Sequence, residues 1–447
     1  MKFIPNSNKH EEILTEMGLK NISELFKDIP EQIIIDKLEM PQGLDQLQTE
    51  QDLRAIADKN KSVNEFLCFL GGGIKPHYIP AMVKQMSSRP EFYTAYTPYQ
   101  SEASQGFLQA MFEYQSMISE LTKMDAANCS LYDGVTALAE ASLMCSRITK
   151  KTEILIPKNI SEDKKQVLKN YIKGPGLTIK QIDFDEKTGK IDIDHLKKVI
   201  TDKTAGVYIE NPNYFGVLEE DIDKISKIIK EKNTLFMVGI DPLSLGIIKP
   251  PGEYGADIVI GEGRVFGNEM DFGGSSLGIF ACKKEYIRQM PGRIIGLTHD
   301  KEGKRAFCMA LQTREQHIRR SRATSNICTN EGLCALTAAI YLSWAGGKGI
   351  EKIASQNLEK LQTLKREIEK IKGLKIRFNS SNFNELVIET EKPSDRIINE
   401  LLERNIQIGP ALDDTFQELK NCILLGVTEI HTNKDIKKLA ENLKEVM

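Results

Sequence analysis

The sequence is poor in histidine, with six in 447 residues, and its eight cysteines form no CxxC pair. The two nearest, Cys328 and Cys334, stand too far apart for the usual zinc knuckle, in which paired ligands are separated by about two to four residues. No metal site is expected. Most of the thiols lie in apolar runs such as Phe66-Leu67-Cys68-Phe69-Leu70, the setting of reduced, buried cysteines in a cytosolic protein. An excess of one charge is lacking too: 60 Lys+Arg stand against 63 Asp+Glu, a formal net charge of −3. So balanced a chain has no global attraction to nucleic acid or to anionic membrane, and neither is expected as a partner. No stretch approaches the roughly 18 apolar residues of a membrane span. The start, Met1-Lys2-Phe3-Ile4-Pro5-Asn6, runs into charged residues and not into a signal-type apolar core, so a cytoplasmic location is expected.

What is present is ordinary globular composition, 40% hydrophobic and 28% charged, in a chain long enough for roughly two or three domains. The first 60 residues read as short charged helices punctuated by Pro5, Pro30 and Pro41, an arm or lid that we extend to residues 1–90. A strong amphipathic helix follows, with Ala103, Phe107, Met111, Tyr114, Ile118 and Leu121 on one stripe and Glu113, Gln115, Ser116, Ser119 and Glu120 filling the rest. Short apolar runs then recur at Glu153–Pro157, Leu177–Ile182, Ala205–Glu210, Leu235–Ile240, Asp257–Ile260 and Leu277–Ala281, most of the earlier ones separated by helix-period segments such as Asp221–Lys230. That alternation predicts a mainly parallel sheet covered on both faces, over residues 91–325. The last two runs are joined by a glycine-rich loop with no room for an ordinary helix. Beyond a long helical stretch from near Asn330, strands at Lys375–Phe378, Glu385–Glu389 and Cys422–Gly426 and helices at Asp395–Glu403 and Lys434–Val446 predict a small α+β domain over 326–447.

Two glycine motifs lack the context their chemistry needs. Gly261-Glu-Gly263-Arg-Val-Phe-Gly267 approaches a dinucleotide fingerprint, but no helix starts at its glycines to face a pyrophosphate. Gly274-Ser275-Ser276-Leu277-Gly278 matches a nucleophile elbow, with His299, His317 and His431 as nominal bases, yet a loop precedes it and a strand follows, the reverse of an elbow. Other features stay open between a chemical and a plain reading. Asp241 ends an apolar strand where open α/β sheets bind ligands; it is placed either to pair with a protonated heterocycle nitrogen or to make an Asx turn. Gly134 and Thr136, after Asp133, offer a helix start to a phosphate or form an ordinary N-cap. Arg314, His317, Arg319, Arg320 and Arg322 make an anion site, a subunit contact or a solvated face. Tyr93, Tyr96 and Tyr99, with Thr97, Pro98 and Gln100, line a site or pack the helix that follows.

Longer strings carry a resemblance. Tyr96-Thr-Pro-Tyr-Gln100 with Ser104-Gln-Gly106, Tyr132-Asp-Gly134, Asn211-Pro-Asn213 with Phe215-Gly216, Asp241-Pro-Leu-Ser-Leu-Gly246, Pro250-Pro-Gly-Glu-Tyr-Gly-Ala-Asp257, Arg288-Gln-Met-Pro-Gly-Arg293, Gln312–Arg320 and Ala323–Asn330 span most of the chain. Together they resemble the P-protein of the glycine cleavage system, glycine dehydrogenase (decarboxylating), in the subunit 1 branch of its two-subunit form. The resemblance implies an α/β, pyridoxal-phosphate-dependent transferase type I fold, with a mostly parallel seven-stranded sheet flanked by helices and a small α+β C-terminal domain. It implies a reaction in which glycine loses CO2 and its aminomethyl group passes to the lipoyl arm of H-protein.

It also implies a lysine that holds the cofactor, in a loop about two dozen residues beyond the aspartate. Counted from Asp241, that place falls near Val265, which forms no Schiff base. Lys249 comes before the intervening strand, and Lys283 and Lys284 follow the next one. The absence matches subunit 1, whose homologous partner, subunit 2, carries the lysine and binds the pyridoxal phosphate in an α2β2 assembly. Gly134, Thr136 and Asp241 then read as a retained scaffold, and Tyr96, Thr97, Tyr99, Gln100, Arg314, His317 and Arg319 as residues at a shared site or interface. The chain departs from the family strings at 264–276, where Arg264, Val265 and Phe266 replace smaller or more polar residues and Glu269 and Asp271 vary. Two other readings are a self-sufficient enzyme with a lysine reaching in from elsewhere, and a structural or regulatory partner that lines no substrate path.

Overall fold

The structure is a computed structural model and describes residues 8–35, 37–63, 65–93, 97–327 and 329–447. Tyr96 and Cys328 lie outside the described residues. The chain divides into two units, Met1–Lys61 and Ser62–Met447. In the first, the helices His10–Glu16 and Gln46–Ala57 bury none of their residues. Asp45 caps the second of these, its carboxylate accepting the Gln48 N–H at 2.8 Å.

The larger unit is built on a seven-stranded sheet, in spatial order Ala126–Ala127, Gly278–Cys282, Ile258–Glu262, Leu235–Ile240, Thr204–Glu210, Glu153–Pro157, Thr178–Ile182. The last five pair in parallel, and Gly278–Cys282 runs antiparallel to both its neighbours. Thr204–Glu210 and Leu235–Ile240 are buried at every position, which is why they read as unbroken apolar runs instead of alternating ones. Gly278–Cys282 returns antiparallel to Ile258–Glu262 because the glycine-rich link between them forms only the single helical turn Asp271–Gly273 and no crossover helix of the kind that joins parallel neighbours. The seventh strand, Ala126–Ala127, is two residues long and too short to show a pattern.

The helix Gln105–Thr122 buries Phe107, Leu108, Met111, Tyr114 and Ile118, close to the expected stripe. Gln115, expected among the polar positions, is buried. Its side chain donates to Ile295 O at 3.0 Å and accepts from Ile295 N at 2.8 Å, giving partners to the main-chain groups of that strand residue. That strand, Ile294–His299, forms an antiparallel hairpin with Arg305–Ala310 that the sequence pattern did not show.

A second sheet of five strands runs Leu374–Ile376, Glu385–Thr390, Cys422–Gly426, Leu67–Leu70, Ile406–Gly409. Leu67–Leu70 falls in the stretch expected as a helical arm over 1–90, yet it sits between strands from near the C-terminus, parallel to Ile406–Gly409 and antiparallel to Cys422–Gly426. Local periodicity cannot reveal a pairing across more than 300 residues of chain. The helix Gly332–Ile368 leads from the large sheet to this one and breaks at Gly346, where φ is 59° and ψ −179°. Among the described residues no helix is long and apolar enough to cross a membrane.

Candidate functional site

The carboxyl ends of Thr204–Glu210, Leu235–Ile240 and Ile258–Glu262, the start of helix Gly134–Thr149, and two segments joined to the five-stranded sheet line a cavity of about 370 Å³. This is the crevice where open parallel sheets bind ligands. Asp241, Gly134 and Val265 all line it; Thr136 does not.

Asp133 caps the helix, its carboxylate accepting the Thr136 N–H at 2.6 Å, so the plain N-cap reading holds for Asp133 and Thr136. The Gly134 N–H donates instead to Glu262 Oε2 at 3.1 Å. Glu262 Oε1 accepts two more main-chain N–H groups, Leu277 at 2.8 Å and Arg264 at 3.0 Å. A Cβ at Gly134 would stand 3.1 Å from Glu262 N and Gly261 C, tighter than ordinary contact, so a residue without a side chain suits this close approach. Burial pushes the Glu262 carboxyl above its usual range, against the pull of these N–H donors and of the Arg264 guanidinium.

Asp241 uses both of its oxygens. Oδ1 accepts the Leu243 N–H at 3.1 Å, the Asx turn weighed for it, while Oδ2 accepts from Asn384 Nδ2 at 3.2 Å and lies 3.9 Å from Lys75 Nζ. Lys75, only 4% exposed, also meets Glu385 Oε2 at 3.2 Å. Glu385 Oε1 accepts the Gly72 N–H at 2.7 Å. Along another wall Lys164 Nζ contacts Glu210 Oε1 at 2.6 Å, and the Tyr208 hydroxyl donates to the same oxygen at 2.7 Å. Burial opposes the Lys164 charge, but the attraction of Glu210 outweighs it and raises the pKa. The charged groups lining the cavity are two lysines against six carboxylates, Asp133, Asp163, Glu210, Asp241, Glu262 and Glu385, a formal net of −4.

A second cluster gathers several of the other sequence candidates around a residue that was not among them. The guanidinium of Arg293, 3% exposed, lies 5.4 Å from the centre of the Tyr99 ring. Arg293 donates to the Tyr99 hydroxyl at 3.3 Å and to Thr97 Oγ1 at 3.5 Å, and Glu315 Oε2 stands 3.8 Å from its Nε. The His317 ring meets the edge of Tyr99 at 5.9 Å. Thr97, Tyr99 and His317 are thus brought together, with Tyr99 54% exposed at the surface of the cluster. Gln100 is exposed beside them in sequence.

Arg314 and Arg319 behave differently. Arg314 donates to the carbonyls of Leu311 at 3.2 Å, Gly292 at 2.9 Å and Met290, one bond from each of its three nitrogens, which clamps two loops together. Arg319 is exposed and donates to Thr313 O at 3.2 Å. None of Thr97, Tyr99, Gln100, Arg314, His317 or Arg319 lines the cavity. Of the residues sequence reasoning missed, Glu262 carried a signal: an acidic residue at the end of a buried apolar strand, inside the Gly261–Gly267 motif. Arg293 stood in a quoted string without a role, and Lys75 follows the run Gly71-Gly72-Gly73, which marks only a turn.

A sequence model of the glycine cleavage system P-protein matches residues 1–443. The chain belongs to that family. It is 47% identical over 449 residues to the probable glycine dehydrogenase (decarboxylating) subunit 1 of Pyrococcus horikoshii, covering all of this chain and 99% of that protein. To the protein of the same description from Carboxydothermus hydrogenoformans it is 44% identical, covering 99% of each. Among solved structures, a glycine decarboxylase (P-protein) of the glycine cleavage system, in inhibitor-bound form, superposes with a TM-score of 0.90 at 36% identity over the whole of both chains. A glutamate decarboxylase from Lactobacillus brevis superposes with a TM-score of 0.70 at 11% identity, over 94% of this chain and 97% of that one, and shows the fold alone. The P-protein chain described here therefore has the pyridoxal-phosphate-dependent type I fold.

The residues around the cavity do not fit that cofactor. The helix-start N–H that would meet a phosphate is bonded to Glu262, the lining is net negative, and the two lysines within it are held by carboxylates.

Proposed function

We propose that this chain is subunit 1 of a P-protein whose pyridoxal phosphate is bound by a separate, lysine-bearing subunit 2 in an α2β2 assembly. In that assembly glycine is decarboxylated, CO2 is released and the aminomethyl group passes to the lipoyl arm of H-protein, in the cytoplasm. The observation that carries the reading is the cavity itself. It keeps the landmarks Asp241 and Gly134, presents Val265 where a cofactor lysine is expected, and offers only lysines already paired with Glu385 and Glu210. A valine side chain has no nucleophile and no base, so no covalent step starts there.

The role left for this chain is to shape a site completed by the partner. Thr97, Tyr99, Gln100 and the His317–Arg319 segment are the residues we assign to the shared face, with Arg293 and Glu315 holding Tyr99 in place. The Arg293 guanidinium against the Tyr99 ring fixes that ring at little entropic cost. Arg314 supports this face from within through its carbonyl clamp.

The test is reconstitution. The chain purified alone should show no exchange of the glycine carboxyl with bicarbonate, and addition of subunit 2 should restore it. Exchange by the chain alone would overturn the proposal.

A further inference from the structure

We propose that this chain's own side chains occupy both poles of its inherited cofactor cradle: Glu262 fills the anion hole at the start of helix Gly134–Thr149, and Lys75 fills the cation position facing Asp241. The inference rests on the assignment of the cofactor to the partner subunit and says what replaced it here.

The anion pole comes first. A helix start with a glycine is a ready site for a phosphate, because its main-chain N–H groups and dipole point outward. Here three N–H groups, from Gly134, Arg264 and Leu277, converge on one carboxylate, at 3.1, 3.0 and 2.8 Å. They come from a helix start, a turn and a strand edge, so Glu262 ties three elements together as a bound anion would. A phosphate entering this place would have to displace a covalently attached competitor whose local concentration is fixed by the chain.

At the other pole, an aspartate that ends a sheet strand serves a protonated heterocycle nitrogen by charge. Lys75 supplies that charge from inside the chain, 3.9 Å from Asp241 Oδ2 and 3.2 Å from Glu385 Oε2. Asn384 completes the group with its 3.2 Å bond to Asp241. Lys75, Asn384 and Glu385 all belong to segments joined to the small sheet, whereas Asp241 ends a strand of the large one, so the same cluster fastens one domain to the other. The remaining lining sums to a negative formal charge, which repels a phosphate dianion further. Valine at 265 removes the covalent anchor; Glu262 and Lys75 remove the two noncovalent ones.

The experiment is a titration of the full chain with 4′-deoxypyridoxine 5′-phosphate, which has no aldehyde to react with surface lysines, and separately with inorganic phosphate. Binding is followed by calorimetry and by the amide resonances of Gly134, Arg264 and Leu277. The wild-type chain should show no saturable binding and no movement of those amides. Lys75→Ala/Glu262→Ala should bind the analogue saturably, at concentrations at least about tenfold below the highest at which the wild type shows none. Glu262→Gln keeps the shape but turns one acceptor into a donor, which frees the Gly134 N–H; phosphate should then move that resonance. Saturable binding by the wild type, or folded variants with no gain, overturns the inference. Should neither variant fold, the wild-type titration decides alone, since unmoved amides uphold the inference and saturable shifts overturn it. Glycine–bicarbonate exchange by the chain alone contradicts the proposed function, whereas analogue binding without exchange contradicts only the filled cradle.

Discussion

Replacing Lys75 by methionine removes a buried charge from between two carboxylates while keeping most of the side-chain volume. At an effective dielectric constant of about 20, the attraction to Glu385 at 3.2 Å is worth about 5 kcal/mol and that to Asp241 at 3.9 Å about 4 kcal/mol, before the cost of burying the charges. That cost cancels much of the gain, but it is not recovered when only one partner is removed. Asp241 and Glu385 would remain 15% and 9% exposed at their side chains, facing each other across the place the ammonium held. Losses for such broken buried pairs run at about 3–5 kcal/mol. The Gly72, Leu243 and Asn384 donors soften the effect by continuing to satisfy the two carboxylates, so a loss near 3 kcal/mol, about the lower end, is expected. Urea unfolding of the isolated chain near neutral pH measures it. Neutralising the acids as well, in Lys75→Met/Asp241→Asn/Glu385→Gln, should return most of the loss. A single-variant loss below about 1 kcal/mol, the value of an exposed pair, or no recovery in the triple variant, would refute the argument that this cluster is a buried, mutually dependent charge group.

Three further outcomes follow from particular contacts. Arg314→Ala should lower stability by about 3 kcal/mol, because three charge-assisted bonds to the carbonyls of Met290, Gly292 and Leu311 are lost; a thermal midpoint equal to wild type would show that the clamp is not formed. Tyr99→Phe should lower turnover of the reconstituted complex while costing the isolated chain only about 1 kcal/mol, since the ring is exposed and the hydroxyl accepts a single 3.3 Å bond from Arg293. Unchanged turnover would remove Tyr99 from the shared face. Glu219 is buried, and burial pushes its carboxyl up from 4.5 to about 7 despite bonds from Ile191 N and Asn213. The native state therefore holds this proton more tightly than the unfolded chain, so the stability it confers is full below about pH 4.5 and is lost as pH rises to about 7. Glu219→Gln should flatten the stability profile between pH 5 and 8 by about 2–3 kcal/mol, and a parallel profile would contradict the assignment.

How much of this was legible in the sequence depended on whether a residue's role is local. Strands buried on both faces announce themselves by composition, and Glu153–Pro157, Leu235–Ile240 and Cys422–Gly426 fall on the expected residues. Leu67–Leu70 was visible as an apolar run but not as a strand of the small sheet, because its partners lie at the other end of the chain. The hairpin Ile294–His299 and Arg305–Ala310 lacks a long apolar run, being half exposed, and it is tied to the preceding helix by Gln105 and the unexpected Gln115. The site divides in the same way. Asp241 was placed by its position after a strand, and Val265 by counting. Glu262 and Lys75 escaped, because what matters about them is which distant main-chain groups and carboxylates they meet. For Arg314 the sequence leaves an anion site, a subunit contact and a solvated face open, and only the structure shows three of its N–H donors spent on carbonyls.

The central claim, that pyridoxal phosphate is held by the partner and not by this chain, is tested most directly by borohydride reduction of the assembled complex followed by mass spectrometry of each subunit. The account predicts a pyridoxyl-lysine in the partner alone, with Lys75 and Lys164 of this chain unmodified. A stoichiometric pyridoxyl group on either of those lysines would contradict it.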